Sequence, residues 1–262
     1  MRRRDFFRGI AGLATAWPFL ARAQQATKRV PRLGALIGFA EHDPGTQRRV
    51  AAFKTGLAEL GWVLDRNIAI EFRYGAGDAE KNRVLAAELV RLEPDVIFVN
   101  STSATAAVLR QTSTIPVVFA TVSDPVGSGF VTSLARPGGN VTGFWWGDKT
   151  LVGKRFGLLK EVVPEALRVA FLVRADDPTE VDELTEVPIA ATALGLDVRI
   201  FEVRAAAEFE ATFERLVREK IDGICVGTSP LFVSNRTDIV VLAARARLPS
   251  VSASASSPLR EG

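Results

Sequence analysis

Two stretches of the chain, NIAIEFRY (residues 67–74) and DVRIFEV (residues 197–203), each follow a helix-like run closing on a Leu-Gly pair. Each then leads through a charged helical stretch into a second apolar run, EPDVIFVNST (93–102) in the first half and KIDGICVGTS (220–229) in the second. Gly61 aligns with Gly195, Asp95 with Asp222, and Asn100-Ser101-Thr102 with Gly227-Thr228-Ser229. A glycine closing a helix fits the C′ position, where the backbone turns left-handed. The duplication constrains the chain strongly, because it asks for two similar α/β units in tandem.

Strand signals fall at Leu33–Phe39, Ile68–Tyr74, Val96–Val99, Val117–Ala120, Val141–Trp145, Val169–Val173, Val198–Val203 and Gly223–Val226. Between them lie stretches of helical periodicity, among them Arg49–Leu60, Ala79–Leu92, Leu151–Val163 and Ala206–Glu219. Several strands are continuous apolar runs, as expected where both faces of a sheet are covered. The expected class is α/β, with two doubly wound parallel-sheet lobes joined by a hinge. A chain of 262 residues accommodates one large or two medium domains. The lobe boundary is expected near Trp146–Thr150, giving lobes at 30–147 and 148–251; one larger sheet is the alternative.

The first 23 residues read as a secretory signal peptide outside the fold. They hold a cationic start, an apolar stretch from Gly9 to Leu20 and the small-x-small triplet Ala21-Arg22-Ala23, with cleavage expected after Ala23. Arg3-Arg4-Asp5-Phe6-Phe7-Arg8 resembles the twin-arginine export motif, an ordinary secretory signal being the alternative. The apolar stretch is too short to span a bilayer, so an exported, periplasmic protein is expected. A net charge of +3, with no basic stripe interleaved with aromatics, gives no reason to invoke nucleic acid.

Ligands of open α/β sheets bind beyond the carboxyl ends of the strands, where the strand order reverses. The residues following the strands here are short, polar and mostly uncharged. The candidate ligand contacts are Glu41, Asn100, Ser101, Thr102, Ser103, Ser123, Asp124, Trp146, Thr228 and Ser229. A helix starting near Ser103 would offer free backbone N–H groups to a carboxylate. Ser and Thr also cap helices routinely, so helix capping is the competing reading of each residue in 100–103. Trp145 and Trp146 point to opposite faces of a strand, so one of them could form an aromatic wall.

Catalytic patterns are thin. His42 is the only histidine, so a Ser-His-Asp site would depend on it alone. Gly227-Thr228-Ser229-Pro230-Leu231 fails the G-x-S-x-G elbow at its last position. Gly127-Ser128-Gly129 lacks the third glycine of a dinucleotide fingerprint. No P-loop, zinc cluster or cofactor motif is visible. Cys225 lies within a strand and reads as a small core residue. Asp177-Pro178 reads as a helix N-cap with Pro at the first helical position.

Three segments are specific: Thr114-Ile115-Pro116-Val117-Val118-Phe119, Asp124–Val131, and Ser133-Leu134-Ala135-Arg136-Pro137-Gly138-Gly139-Asn140-Val141-Thr142-Gly143. They resemble the substrate-binding proteins of ABC transporters, in the tryptophan/tyrosine-type or unknown-substrate subgroup. The resemblance runs from about Arg32 to Pro249, with Leu248-Pro249 matching the pair ahead of the last strand of the second lobe. It implies a type I periplasmic-binding-protein-like fold and no catalysis. It also implies a small-molecule ligand such as an amino acid or other carboxylate, an ABC permease partner at the inner membrane, and a monomer. Family members continue for several tens of residues beyond that Leu-Pro. Here residues 252–262 read as an aberrant Ser/Ala tail in place of a C-terminal return segment. The alternatives in function are a periplasmic hydrolase using His42, or a non-functional truncated remnant.

Overall fold

The computed structural model describes residues 29–145 and 151–252. The segment read as a signal peptide, the lobe junction around Trp146–Thr150, and residues 253–262 of the tail lie outside the described residues.

The first sheet holds five strands: β1 (Arg32–Ile37), β2 (Ala69–Tyr74), β3 (Val96–Asn100), β4 (Val117–Val122) and β5 (Val141–Trp145). All pair in parallel, in the order β2-β1-β3-β4-β5. The second holds β6 (Arg168–Val173), β7 (Asp197–Glu202), β8 (Gly223–Val226) and β9 (Ser250–Ser252), in the order β7-β6-β8-β9. The order 2-1-3-4 therefore occurs twice, and two separate sheets replace the single-sheet alternative. The inner strands β1, β6 and β8 are buried almost throughout, whereas the edge strand β7 is largely exposed. Apolar runs went to the positions covered on both faces.

Helices follow the strands: α1 (Pro44–Glu59), α2 (Ala79–Arg91), α3 (Thr102–Leu109), α4 (Leu151–Val162), α5 (Pro178–Leu194), α6 (Phe209–Arg218), α7 (Pro230–Ser234) and α8 (Arg236–Ala246). In the first lobe one face of the sheet buries Leu33 and Ala35 against Phe53 of α1, and the other buries Leu36, Ile97 and Val99 with Ala86, Leu89 and Ala104 of α2 and α3. In the second, Val169, Phe171 and Val173 pack with Val152, Phe156 and Val187 of α4 and α5. The opposite face packs Leu172 and Ile224 with Phe213, Phe232 and Ile239 of α6, α7 and α8. Burying one such large side chain contributes about 1.5–3 kcal/mol.

The duplicated sequence marks are duplicated geometry. Asp95 Oδ2 accepts the Arg32 N–H at 2.7 Å, and Asp222 Oδ2 accepts the Arg168 N–H at 2.8 Å. In each lobe an aspartate just before the third strand fastens the start of the first. Gly61 (φ +84°) and Gly195 (φ +63°) both take the left-handed conformation after α1 and α5. Trp62 N–H reaches Leu57 O at 2.9 Å and Leu196 N–H reaches Ala191 O at 3.0 Å, the long bonds that close both helix ends. Cys225 is wholly buried between β6 and β9, and burial pushes its thiol up to about 12.

Two details differ from the sequence reading. Ser250–Ser252, within the low-complexity stretch, pair with Ile224–Val226 as β9; small residues suffice because β8 supplies the ladder. The helix expected near Ser103 starts at Thr102, with Ser101 as its N-cap.

Candidate functional site

Both sheets reverse their order between the first and third strand, β1/β3 in one lobe and β6/β8 in the other. The carboxyl ends of these strands meet. The Ala40 N–H, after β1, donates to Ser234 Oγ of α7 at 3.1 Å. Asp43 and Arg236 form an ion pair between the two lobes. Ser103, in the first turn of α3, comes close to the carboxylate of Asp177, the N-cap of α5, and acts to lower its pKa. Gly77 (φ +77°) follows β2 and lies against the backbone of α7: a Cβ there would stand 2.4 Å from Leu231 N. No residue with a side chain fits at that position without moving the lobes apart.

In the first lobe, Asn100, Ser101 and Thr102 are buried and Ser103 is half-buried. Ser101 Oγ accepts the Ala104 N–H at 3.2 Å, so it is a cap as well as a strand-end residue. Its φ of 103° is a conformation that glycine favours, which marks the β3–α3 turn as held by its surroundings. Thr102 Oγ1 accepts the Ser123 N–H at 3.3 Å, tying the end of β4 to α3. Asp124 Oδ1 accepts the Gly127 N–H at 2.8 Å within its own turn. Glu41 and His42 are exposed in the loop after β1. Trp146 lies outside the described residues.

The second lobe carries the charge. Burial raises the Asp177 carboxyl, against the pull of Thr179, Arg174 and Ser103. Glu180, fully buried, accepts the backbone N–H of Ser229 at 2.7 Å and that of Arg174, bridging the ends of β6 and β8. Burial, reinforced by the nearby Asp177, holds its carboxyl well above the usual range. Thr228 Oγ1 donates to Glu183 Oε1 at 2.9 Å, and Glu183 Oε2 pairs with the buried Arg155 Nη2 at 2.8 Å. Arg155 Nη1 also donates to Val226 O at 2.8 Å. Thr228 is thus anchored from below, while the Ser229 hydroxyl is buried without a partner.

Eight of the ten sequence candidates sit at the meeting strand ends, near the carboxyl side of β1, β3, β4 or β8; Asp124 is engaged in its own turn. Of the residues that join the lobes, Ser103 was among the candidates, and Asp43, Gly77, Asp177, Ser234 and Arg236 were not. Asp43-Pro44 and Asp177-Pro178 carried the signal of a cap, and Gly75-Ala76-Gly77 that of a tight approach. None of them carried a signal of its partner.

Two parallel sheets of repeated order, touching through the loops at their switch points, define a type I periplasmic-binding-protein fold. The chain belongs to the ABC transporter substrate binding protein family, which it matches over residues 35–262. A tyrosine-binding protein of Clostridioides difficile (strain R20291) is 26% identical over 211 residues, 80% of this chain; the chain spans 60% of that relative's length. An ABC domain from Streptococcus pneumonia in complex with L-Trp superposes with a TM-score of 0.76 at 25% identity, over 86% of this chain and 74% of that one. A ligand-free, open substrate-binding protein from Clostridium difficile, at the same identity and the same coverage of both chains, superposes with a TM-score of 0.53.

Proposed function

We propose that this chain is an exported solute-binding protein, which takes an amino acid or related small carboxylate between lobes 30–147 and 148–251 and delivers it to an ABC permease at the inner membrane. The observation that carries the reading is the meeting of the two switch points through Ser103 and Asp177. The first turn of α3 supplies N–H groups and hydroxyls suited to a carboxylate, and Asp177 supplies a negative group suited to an ammonium. Lobe closure removes water and strengthens both interactions. The relatives that carry tyrosine in their name or tryptophan in their structure support an amino acid as cargo. Asn100, Ser101, Thr102, Ser103, Ser123, Thr228 and Ser229 would line the closed cleft, with Glu41, Asp124 and Trp146 at its margin. The lobes would pivot about Trp146–Thr150. Export would run through residues 1–23, with Arg3 and Arg4 as the twin-arginine pair, and the chain would act as a monomer.

Titration calorimetry with L-tryptophan, L-tyrosine, L-leucine and benzoate tests the reading. At least one should bind with a heat that saturates at one site. Ser103→Asp should weaken that binding at least tenfold, because it sets a like charge against both the ligand carboxylate and Asp177. Thr102→Ala should weaken it by several-fold to about tenfold, the worth of one neutral hydrogen bond. Unchanged affinity in both variants would show that residues 100–103 only begin a helix. The rival hydrolase would lose turnover in His42→Ala, whereas a binding protein would keep its affinity.

A further inference from the structure

We propose that Thr228 is an acceptor-only contact in the cleft, taking an N–H of the ligand's ammonium group, and that Glu183 and Arg155 are its positioning residues. This rests on the reading above, that the cleft takes an amino acid or related carboxylate. It adds the direction in which such a ligand is held.

Thr228 stands two residues beyond the carboxyl end of β8, at the switch point of the second sheet. From Gly223 to Phe232 every other residue is buried, and Thr228 is half-buried. It is therefore the one residue of this strand end left open to a ligand. Two carboxylates one turn apart on α5 hold the turn to which it belongs. Glu180 Oε1 accepts the Ser229 N–H at 2.7 Å, and Glu183 Oε1 accepts the Thr228 hydroxyl at 2.9 Å. Gly227 packs so closely on Glu180 that a Cβ there would collide with its carboxylate.

The polarity of the Thr228 hydroxyl follows from what lies beneath it. Glu183 Oε2 pairs with the buried Arg155 Nη2 at 2.8 Å. Arg155 is itself fixed: Nη1 donates to Val226 O at 2.8 Å, and the guanidinium carbon lies 5.5 Å from the centre of the Phe171 ring. A carboxylate paired in this way only accepts, so the proton in the Thr228–Glu183 bond is the threonine's. A hydroxyl has one proton and two lone pairs. With its proton committed to Glu183, Thr228 offers lone pairs alone, which attract a donor and repel a carboxylate. The first turn of α3 in the other lobe offers the reverse, N–H groups suited to an anion. A ligand with an ammonium beside its carboxylate is thus held one way round, carboxylate toward α3 and ammonium toward Thr228.

The test is calorimetry with L-leucine, L-tryptophan and L-tyrosine, each compared with the acid that lacks only its amine: isocaproate, indolepropionate and hydroxyphenylpropionate. The wild type should bind at least one of these amino acids more tightly than its amine-free acid, by about tenfold or more, the worth of a hydrogen bond to a charged group. Thr228→Val keeps the shape and removes the lone pairs, and should cut that preference by about tenfold. Thr228→Ser, which keeps the hydroxyl, should restore it. Glu183→Gln should cut it as well: with Arg155 holding the amide oxygen, the NH₂ group donates to Thr228, whose proton then turns to the cleft. An equal loss for amino acid and amine-free acid in Thr228→Val would overturn the inference, since a merely structural threonine weakens both alike. So would an amine-free acid that binds the wild type as tightly as its amino acid, a result that leaves the carboxylate reading of the cleft intact. A preference unchanged in Glu183→Gln would overturn the positioning role of Glu183 and Arg155. If Glu183→Gln does not melt cooperatively, the two Thr228 variants decide the inference alone. If none of these compounds binds the wild type, the reading of the cleft itself fails, and this inference with it.

Discussion

Asp43 and Arg236 lie 193 positions apart and form an ion pair that joins the lobes. Asp43 is also the N-cap of α1, accepting the Thr46 N–H at 2.8 Å. Burial alone would raise its carboxyl, but Arg236 and the Thr46 N–H outweigh burial and hold it below its ordinary value of 3.8. A depressed carboxyl stabilises the fold above the unfolded value, and that contribution is lost as pH falls through the folded value. Asp43→Asn keeps a capping oxygen and removes the charge. Its melting temperature should lie below wild type at pH 7, by the equivalent of about 1–3 kcal/mol. The gap should close as pH falls from about 4 downward. A gap that stays constant to pH 3 would mean that the charge contributes nothing.

Glu180 should give the opposite pH response. Its folded value is raised above 4.5, because it is buried and faces Asp177. The folded state therefore favours the protonated acid, and stability falls as pH rises from 4.5 toward the folded value. Asp177, also raised, adds in the same direction. Thermal melts of wild type should show stability declining from pH 5 toward neutral. Glu180→Gln should flatten that slope while lowering stability throughout, since one of its two backbone N–H partners, on Arg174 or Ser229, then faces an NH₂ group. An unaltered slope would exclude Glu180 as its source.

The buried Arg155–Glu183 pair, with side chains 5% and 9% exposed, should cost about 3–5 kcal/mol when only one partner is removed. Arg155→Leu leaves Glu183 charged beneath Thr228. The double variant Arg155→Leu/Glu183→Leu should recover most of that loss, as buried pairs are often replaceable by apolar groups. Denaturant unfolding of the single and double variants decides it. A double variant no better than Arg155→Leu would assign the loss to the Arg155–Val226 hydrogen bond and to packing on Phe171.

Lys220 (φ 53°) and Arg247 (φ 55°) end α6 and α8 in the left-handed region that glycine occupies after α1 and α5. Lys220→Gly and Arg247→Gly should each stabilise by roughly 0.5–1 kcal/mol, relief from strain exceeding the added freedom of the unfolded chain. That is about 1–4 °C for a chain of this size. A fall in melting temperature would show that the lysine or arginine side chain makes a compensating contact.

The sequence determined the local structure of this protein. Continuous apolar runs at 96–99, 169–173 and 223–226 became inner parallel strands, because such runs are stable only where both faces are covered. Gly61 and Gly195 ended helices, and Asp177-Pro178 began one, since those conformations depend on the residue and its near neighbours. The repeated Asp95 and Asp222 revealed two copies of one topology before any contact was known. Tertiary structure alone decided which strand ends face each other. Serine and threonine at 100–103 look the same in a sequence whether they cap a helix or face a cleft, because both uses need the same short hydrogen-bonding side chain. Asp177 was legible as a cap, but its reach to Ser103 was not, nor were Asp43 with Arg236 and Gly77 with Leu231. Such contacts have no periodicity and no fixed spacing. They arise only when two separately folded lobes come together, and their energies depend on burial that exists only after they do.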